Sequence, residues 1–170
     1  MVGLTALTAR PLQAADMIET PDGRRVAVHA PADAGDAPRP LVLVLAGAGS
    51  AADEVLGRQG WAGTAEASGF VAAGLEAVPL EREAAVQPLL NPRVWNDGSQ
   101  PRSSRPRPDD VAHVRAALDA LTGRYRIDRD RVYAVGFADG GAMVQRLAVE
   151  LPGRFAAAAV HMQVPRDRGR

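Results

Sequence analysis

Short apolar runs, separated by turns and by stretches of helical periodicity, form the main pattern of this chain. The run "LVLVLA" at 41–46 is continuous in leucine and valine, which predicts a strand buried on both faces. "RRVAVHA" at 24–30 alternates in polarity between two turn-rich segments and predicts a further strand. We expect three more strands, "GFVAAGLE" at 69–76, "RVYAVGF" at 131–137 and "FAAAAVHM" at 155–162.

Segments with helical spacing lie between these strands. Apolar residues recur every three or four positions between Asp109, a predicted N-cap, and Gly123, which is predicted to close the helix. Two other helices are predicted at 62–68 and 141–151, whereas 79–108 is rich in proline and lacks periodicity. Strands that alternate with helices predict an α/β fold with a mostly parallel sheet flanked by helices.

Composition narrows the class of protein. Apolar residues make up 46% of the 170 positions and charged residues 24%, which is typical of a globular domain. The net charge is zero, so we expect neither a nucleic acid nor a membrane as a partner. No cysteine is present, which excludes disulfides, thiolate metal sites and a cysteine nucleophile.

The chain divides into three predicted parts. Residues 1–22 are interpreted as a leader or a degenerate signal segment, because "LQAA" before Asp16 resembles a cleavage site while no basic residue precedes the apolar stretch. Residues 23–162 form the α/β domain and 163–170 a polar tail. This interpretation leaves the cellular compartment of the protein open.

Two glycine-rich turns follow predicted strands. The first, Gly47–Ala52, matches the dinucleotide fingerprint, in which glycine lets backbone N–H groups approach a pyrophosphate. Glu76, at the end of the next strand, would then meet a ribose hydroxyl. Glu54 argues against this hypothesis, since it adds negative charge near the phosphate position. A dinucleotide-binding oxidoreductase domain is therefore kept as an alternative.

The second turn, "GFADG" at 136–140, has the frame of a nucleophile elbow, G-x-S-x-G, with Ala138 in place of the serine. Such an elbow is a tight strand–turn–helix bend with a strained apex and close backbone contacts. The elbow glycines Gly136, Gly140 and Gly141 fit this requirement.

Four segments together resemble the polyhydroxybutyrate (PHB) depolymerase and feruloyl esterase branch of the α/β-hydrolases. They are, in the family's order, "PLVLVLAGAGSAADE" for a strand and its H-G-x-G loop, "VWNDG" for a tryptophan-containing loop, "DDVAHVRAALDAL" for a helix, and "YRIDRDRVYAVGFADGGAM" for the segment through the elbow. The resemblance covers roughly residues 24–162. It implies a partial α/β-hydrolase fold and carboxylic-ester hydrolysis without a cofactor or metal. Members of the family are commonly secreted or periplasmic, but the signal peptide of this chain is absent or degenerate, so the location stays open.

The chain departs from this family at the positions that carry its chemistry. Ala138 replaces the nucleophilic serine, and Ala46 replaces the histidine that opens the H-G-x-G loop. The family's acid, histidine and last strands would follow residue 162, where little sequence remains. We therefore expect a truncated and catalytically dead or severely impaired member, or a non-catalytic ligand-binding remnant. Its exposed last strand, 155–162, is predicted to associate with another chain.

Backbone groups of the site do not depend on these losses. The resemblance assigns an oxyanion hole to the N–H groups of Asp139 and of Ala48 or Gly49. Trp95 and Asn96 are candidates for a substrate pocket, although Trp95 would equally cover apolar surface. The expected ligand is an ester- or aromatic-containing small molecule or polymer.

One acidic residue and three histidines are the remaining candidates for catalytic groups. Asp139 as a substitute nucleophile would place Phe137 where the frame requires a small residue, and its carboxylate would equally favour the dipole of the helix it begins. His29 is interpreted as exposed on an edge strand and His113 as a residue of a polar helix face. His161 ends a strand at the carboxyl edge of the sheet.

Overall fold

The computed structural model describes residues 15–32, 37–99 and 107–161, and the fold is given for these ranges. The strands are β1 (Asp16–Glu19), β2 (Arg25–His29), β3 (Arg39–Leu45), β4 (Val71–Leu75), β5 (Val78–Pro79), β6 (Arg93–Val94), β7 (Ile127–Phe137) and β8 (Ala157–His161). The helices are α1 (Ala52–Arg58), α2 (Trp61–Ser68), α3 (Asp110–Arg124) and α4 (Asp139–Glu150). None of these helices has the length and apolarity needed to cross a membrane.

Six of the strands form one mixed sheet in the order β1-β2-β4-β3-β7-β8. Strands β4, β3, β7 and β8 are parallel to one another, and β2 is antiparallel to both β1 and β4. This confirms the predicted α/β class with a mostly parallel sheet. The sheet includes β1, which lies inside the 1–22 segment interpreted as a leader.

The continuous apolar run of β3 is explained by cover on both faces of the sheet. Leu43 is fully buried in the main core, which also contains Leu147 of α4 and Val114 of α3. Val44 points the other way and packs with Val55 of α1. Because alternate residues of a strand face opposite sides, a strand between two helical layers needs apolar residues at every position.

Helix α3 begins as the sequence predicts. The Asp109 carboxylate accepts a hydrogen bond from the Ala112 N–H at 2.9 Å, which is the geometry of an N-cap. The helix continues through Arg124, so Gly123 lies within its last turn and does not close it. Tyr125 takes the C-cap position in an extended conformation.

Two histidine predictions were wrong. His29 is buried, not exposed, because β1 covers the outer side of β2, and its Nε2 lies 2.9 Å from the Glu66 carboxylate of α2. His113 is buried as well, with Nδ1 3.2 Å from the Thr20 hydroxyl and 3.3 Å from the Asp22 carboxylate. The apparent polar face of α3 therefore packs against the polar turn between β1 and β2.

His113 belongs to a buried polar cluster, which we define as Thr20, Asp22, Arg24, Asp110 and His113. The Arg24 guanidinium pairs with both carboxylates, through Nε to Asp22 at 2.7 Å and through Nη1 to Asp110. Burial and the positive charge of Arg24 together lower the pKa of His113 to about 4, against the opposing effect of Asp22 and Asp110. The imidazole is therefore neutral in the folded protein near neutral pH.

This arrangement predicts a stability that falls as the solution is acidified. The folded pKa of about 4 lies below the ordinary value of 6.5, so the unfolded chain binds the proton more readily between these two pH values. We expect the free energy of unfolding to fall as pH drops from 6.5 towards 4, by up to about 3 kcal/mol. Urea unfolding across this window measures the slope.

The matched variant for this measurement is His113→Gln, which cannot take up the proton and should flatten the slope. Asp22 does not confuse the result, because hydrogen bonds from Thr20 and Arg24 hold its folded pKa well below 3.8 despite the raising effect of burial. Its contribution is lost only in more acidic solution. Equal slopes for the two proteins would refute the assignment to His113.

Candidate functional site

The junction of β7 and α4 has the backbone of a strained elbow. Ala138, between Phe137 and Asp139, has φ 49° and ψ −111°, and it is the single non-glycine residue with positive φ among those that the structure describes. An L-residue holds such a conformation only where its surroundings impose it, at a cost of roughly 1–3 kcal/mol. Its N–H donates to the His161 carbonyl at 2.9 Å, which ties the elbow to β8.

The glycines around the elbow leave no room for a side chain. A Cβ on Gly136 would overlap the carbonyl oxygen of Gly140, and a Cβ on Gly140 would overlap the carbonyl oxygen of Leu45. A Cβ on Gly141 would lie 2.8 Å from Val160 Cγ1. The obstacles at Gly136 and Gly140 are backbone atoms, which no change of rotamer can move. These contacts explain why glycine occupies each of these positions.

The loop after β3 lies against this elbow. A Cβ on Gly47 would come within 3.3 Å of both the ring and the carbonyl oxygen of Phe137. Residues Gly47–Ser50 form a turn closed by a hydrogen bond from the Ser50 N–H to the Gly47 carbonyl at 3.1 Å. Gly49 has φ 79° at the third position, which is the geometry of a type II turn. Ala48 occupies the exposed second position.

The N–H groups predicted to form the oxyanion hole differ in whether the protein already supplies them with an acceptor. The Gly49 N–H donates to the Arg93 carbonyl at 3.0 Å, so it is not available to a ligand, and the prediction for Gly49 was wrong. The Ala48 N–H has no hydrogen-bond acceptor among the described residues. Asp139 is the first residue of α4, directly after the elbow apex. Ala48 thus remains a candidate donor, and Asp139 holds the chain position that the resemblance assigns to the second donor.

Trp95 has a structural role. Its side chain is 1% exposed, and its indole N–H donates to the Ala46 carbonyl at 2.8 Å. Of the two interpretations offered by the sequence, the structure favours cover of apolar surface over pocket lining. A buried indole whose N–H is satisfied contributes packing area and fixes the end of β3.

Asn96 is likewise held by the protein. Its side-chain amide donates to the Pro108 carbonyl at 2.9 Å, and its backbone N–H donates to the Asp110 carboxylate at 2.6 Å. Its carbonyl accepts from the Arg146 guanidinium. Asn96 therefore anchors the 95–96 segment and does not line a pocket as predicted.

Three charged side chains fix this segment, and sequence reasoning missed two of them. Asp139 accepts the Trp95 N–H at 2.8 Å, Asp110 accepts the Asn96 N–H, and Arg146 donates to the Asn96 carbonyl. Asp110 follows the N-cap Asp109, and an acid there is ordinarily explained by the helix dipole. The structure shows that Asp110 is completely buried and that it also holds the 95–96 segment.

Asp139 is therefore a structural acid, as the second interpretation of its sequence position holds. Its carboxylate is committed to the Trp95 N–H, and the bulky Phe137 precedes the apex as noted. The structure brings His161 beside the elbow, because β7 and β8 pair Phe137 with His161 and their rings lie 5.5 Å apart. Within the described ranges, no three histidine or acidic side chains are grouped to hold a metal ion.

The first glycine turn does not offer a pyrophosphate site. The N–H of Ala52 at the start of α1 donates to the Glu76 carboxylate at 2.8 Å, and the Ala51 N–H donates to Glu54 at 3.2 Å. Two carboxylates thus occupy the helix N-terminus where a phosphate would bind. Glu76 caps this helix, contrary to its predicted contact with a ribose. The dinucleotide alternative is not supported.

Comparison with known proteins adds a relationship in sequence. The chain is 42% identical over 129 residues to the protein named "Putative esterase NocK" from Nocardia uniformis subsp. tsuyamanensis. The match includes 75% of this chain and 34% of that relative, so the chain spans about a third of the relative's length. No protein-family model matches the sequence.

Solved structures agree in fold. An acetyl xylan esterase from Aspergillus awamori superposes with a TM-score of 0.65 at 15% identity, over 89% of this chain and 53% of that one. An S-formylglutathione hydrolase from Agrobacterium tumefaciens gives 0.65 at 20% identity, over 83% and 53%. At such identities the likeness concerns the fold alone. The chain is therefore similar in sequence to that relative over 129 residues, and it shares the fold of these two hydrolase structures.

Proposed function

We propose that this chain carries the carbonyl-binding site of a carboxylic-ester hydrolase without its serine chemistry. The observation that carries the proposal is the backbone at Ala138, which keeps a strained positive φ although alanine has nothing to present there. Strain of this kind is retained where the surrounding structure is built to aim a side chain. The neighbouring loop at 46–50 supplies the other half of such a site.

The site residues divide between lost and retained functions. In a serine esterase the apex hydroxyl attacks the ester carbonyl, a base takes its proton, and backbone N–H groups stabilise the oxyanion. The methyl group of Ala138 has no lone pair and no proton to transfer, so no acyl-enzyme forms at this position. The N–H of Ala48 would still bind the carbonyl oxygen of an intact ester.

The proposal extends to the PHB depolymerase and feruloyl esterase branch. This assignment is supported by the order and the amino-acid sequences of four segments, from the strand and loop at 40–54 through the elbow at 136–140. Ligands of this branch would be ester- or aromatic-containing small molecules or polymers. Phe137 is 39% exposed beside His161, which offers an aromatic surface next to the apex.

Ligand binding is tested by removing one donor. In Ala48→Pro the N–H is lost, yet proline suits the second position of a type II turn, so the fold should persist. We expect the affinity for methyl ferulate, followed by NMR titration, to fall roughly three- to tenfold, the value of one neutral hydrogen bond. Ala48→Gly keeps the N–H and should bind as the wild type does. Equal affinities in all three proteins would refute the role of Ala48.

Loss of serine chemistry is tested by restoring the serine. We expect Ala138→Ser to leave the hydrolysis of p-nitrophenyl acetate at the wild-type level, because a serine also needs a base. His29 is held by Glu66 and His113 by the buried polar cluster, which leaves His161 nearest to the elbow among the described histidines. Robust hydrolysis that His161→Ala abolishes would instead make His161 that base.

The edge of the sheet supports a proposal about association. All five residues of β8 are exposed, and β8 pairs with β7 alone among the described strands. An open strand edge offers unpaired N–H and carbonyl groups to another chain. We therefore propose pairing along 157–161, which sedimentation velocity would detect as a concentration-dependent dimer. A monomer at all concentrations would refute it.

A further inference from the structure

Two leucine side chains are exposed to solvent at the end of a hairpin whose base contacts the candidate carbonyl-binding loop. Strands β5 and β6 pair Val78 with Val94, and the residues between them form what we call the leucine hairpin, 78–94. Leu89 is 94% exposed and Leu90 80% exposed. Adjacent leucines with this exposure leave apolar area in water that the fold has not covered.

The hairpin is built to hold these leucines outward. The side-chain amide of the buried Asn91 accepts the Glu81 N–H at 2.8 Å and donates to the carbonyls of Glu81, Ala84 and Ala85 at 3.0–3.2 Å. Gln87 and Asn91 exchange two backbone hydrogen bonds around the leucine pair. These bonds fix the backbone on both sides of the leucine pair.

The base of the hairpin is part of the site's framework. The Arg93 carbonyl of β6 accepts the Gly49 N–H from the loop at 46–50. The Arg93 guanidinium lies 3.5 Å from Glu76, whose carboxylate caps the Ala52 N–H of α1. Trp95 follows β6 directly and bonds to Ala46. The base of the hairpin is therefore connected through a few hydrogen bonds to the candidate carbonyl-binding loop.

We propose that the leucine hairpin docks on the surface of aggregated, water-insoluble neutral esters and so brings the site to its ligand. The inference rests on the proposed ester-binding function and names the physical form of the substrate. Charges in the hairpin cancel, since Glu81 and Glu83 oppose Arg82 and Arg93, so the surface does not select an anionic membrane. Insertion of Leu89 and Leu90 would remove their apolar area from water.

The experiment measures adsorption to an ester emulsion. Wild type, the double variant Leu89→Ser/Leu90→Ser and the control Val149→Ser are incubated with tributyrin droplets, and the unbound protein is measured after flotation. Val149 is 78% exposed on α4 and is not part of the hairpin, so its variant removes an exposed apolar group elsewhere in the chain. We expect at least about a tenfold loss of partitioning for the double variant and none for Val149→Ser. Equal partitioning of wild type and double variant would overturn the proposal.

Two further measurements separate this proposal from its rivals. The double variant should bind soluble methyl ferulate as the wild type does, because the leucines do not form the carbonyl site. If wild type does not bind methyl ferulate but droplet adsorption still depends on the leucines, the proposed function fails and the docking surface stands. Stronger leucine-dependent binding to neutral phosphatidylcholine vesicles than to tributyrin, or a dimer that the double variant dissociates, would overturn the choice of partner.

Discussion

Replacement of Gly140 by alanine is expected to lower the free energy of unfolding by about 3 kcal/mol or more. Gly140 lies in α4, where helix propensity alone would make alanine more stable by roughly 1 kcal/mol. The added Cβ would overlap the Leu45 carbonyl oxygen and lie 2.7 Å from that of Ala46. Relief requires α4 to move away from the end of β3, which opens the core around Leu147. Urea unfolding gives the change.

The matched control is Gly123→Ala in α3. A Cβ at Gly123 meets no atom within 4 Å, so helix propensity acts alone and should raise the free energy of unfolding by about 0.5–1 kcal/mol. The two glycine-to-alanine changes, both inside helices, thus have opposite expected signs. If Gly140→Ala were as stable as Gly123→Ala, the close approach of the elbow to β3 would be wrong.

Loss of the Asp110 charge is the second change with a large expected effect. Asp110→Asn keeps the size of the side chain but leaves the buried Arg24 guanidinium without this anion. Breaking one side of a buried ion pair costs about 3–5 kcal/mol, and we expect the lower end of this range because Asp22 still pairs with Arg24 at 2.7 Å. Arg24 is poorly placed to adapt, since its Nη2 already lacks a hydrogen-bond partner among the described residues.

A surface pair provides the comparison for this variant. Asp119 lies 3.1 Å from Arg154 with both side chains largely exposed, so Asp119→Asn should change stability by less than about 1 kcal/mol. Chemical denaturation of both variants at neutral pH measures the difference between them. Similar small losses would mean that water reaches the buried polar cluster and that Arg24 is not confined there.

The charged residues around 95–96 join this cluster to the elbow. Asp110 receives Arg24 on one oxygen and the Asn96 N–H on the other, while Asp139 receives the neighbouring Trp95 N–H. A disturbance of the cluster would therefore reach the first residue of α4. For this reason the ester affinity of Asp110→Asn is best compared with that of wild type under conditions where both are folded.

Local patterns in the sequence determined the class of fold and the position of the elbow. The apolar run of β3, the cap at Asp109 and the spaced glycines at 136–141 can each be recognised within a few residues, although distant parts of the chain supply the packing that they require. The exchange of serine for Ala138 is also visible without coordinates. A short pattern can also fit two structures. Gly47–Ala52 matches both the dinucleotide fingerprint and the loop of an ester hydrolase, so the sequence alone left the dinucleotide hypothesis open.

Tertiary structure decided what each polar side chain does. His29 and His113 became core residues that pair with Glu66 of α2 and with Asp22 of the β1–β2 turn, and neither partner is close in sequence. Gly49, Trp95 and Asn96 left the predicted ligand site because distant residues took up their hydrogen bonds. A sequence gives the donors and acceptors that a chain possesses, whereas only packing at long range determines which of them are paired inside the protein and which still face water.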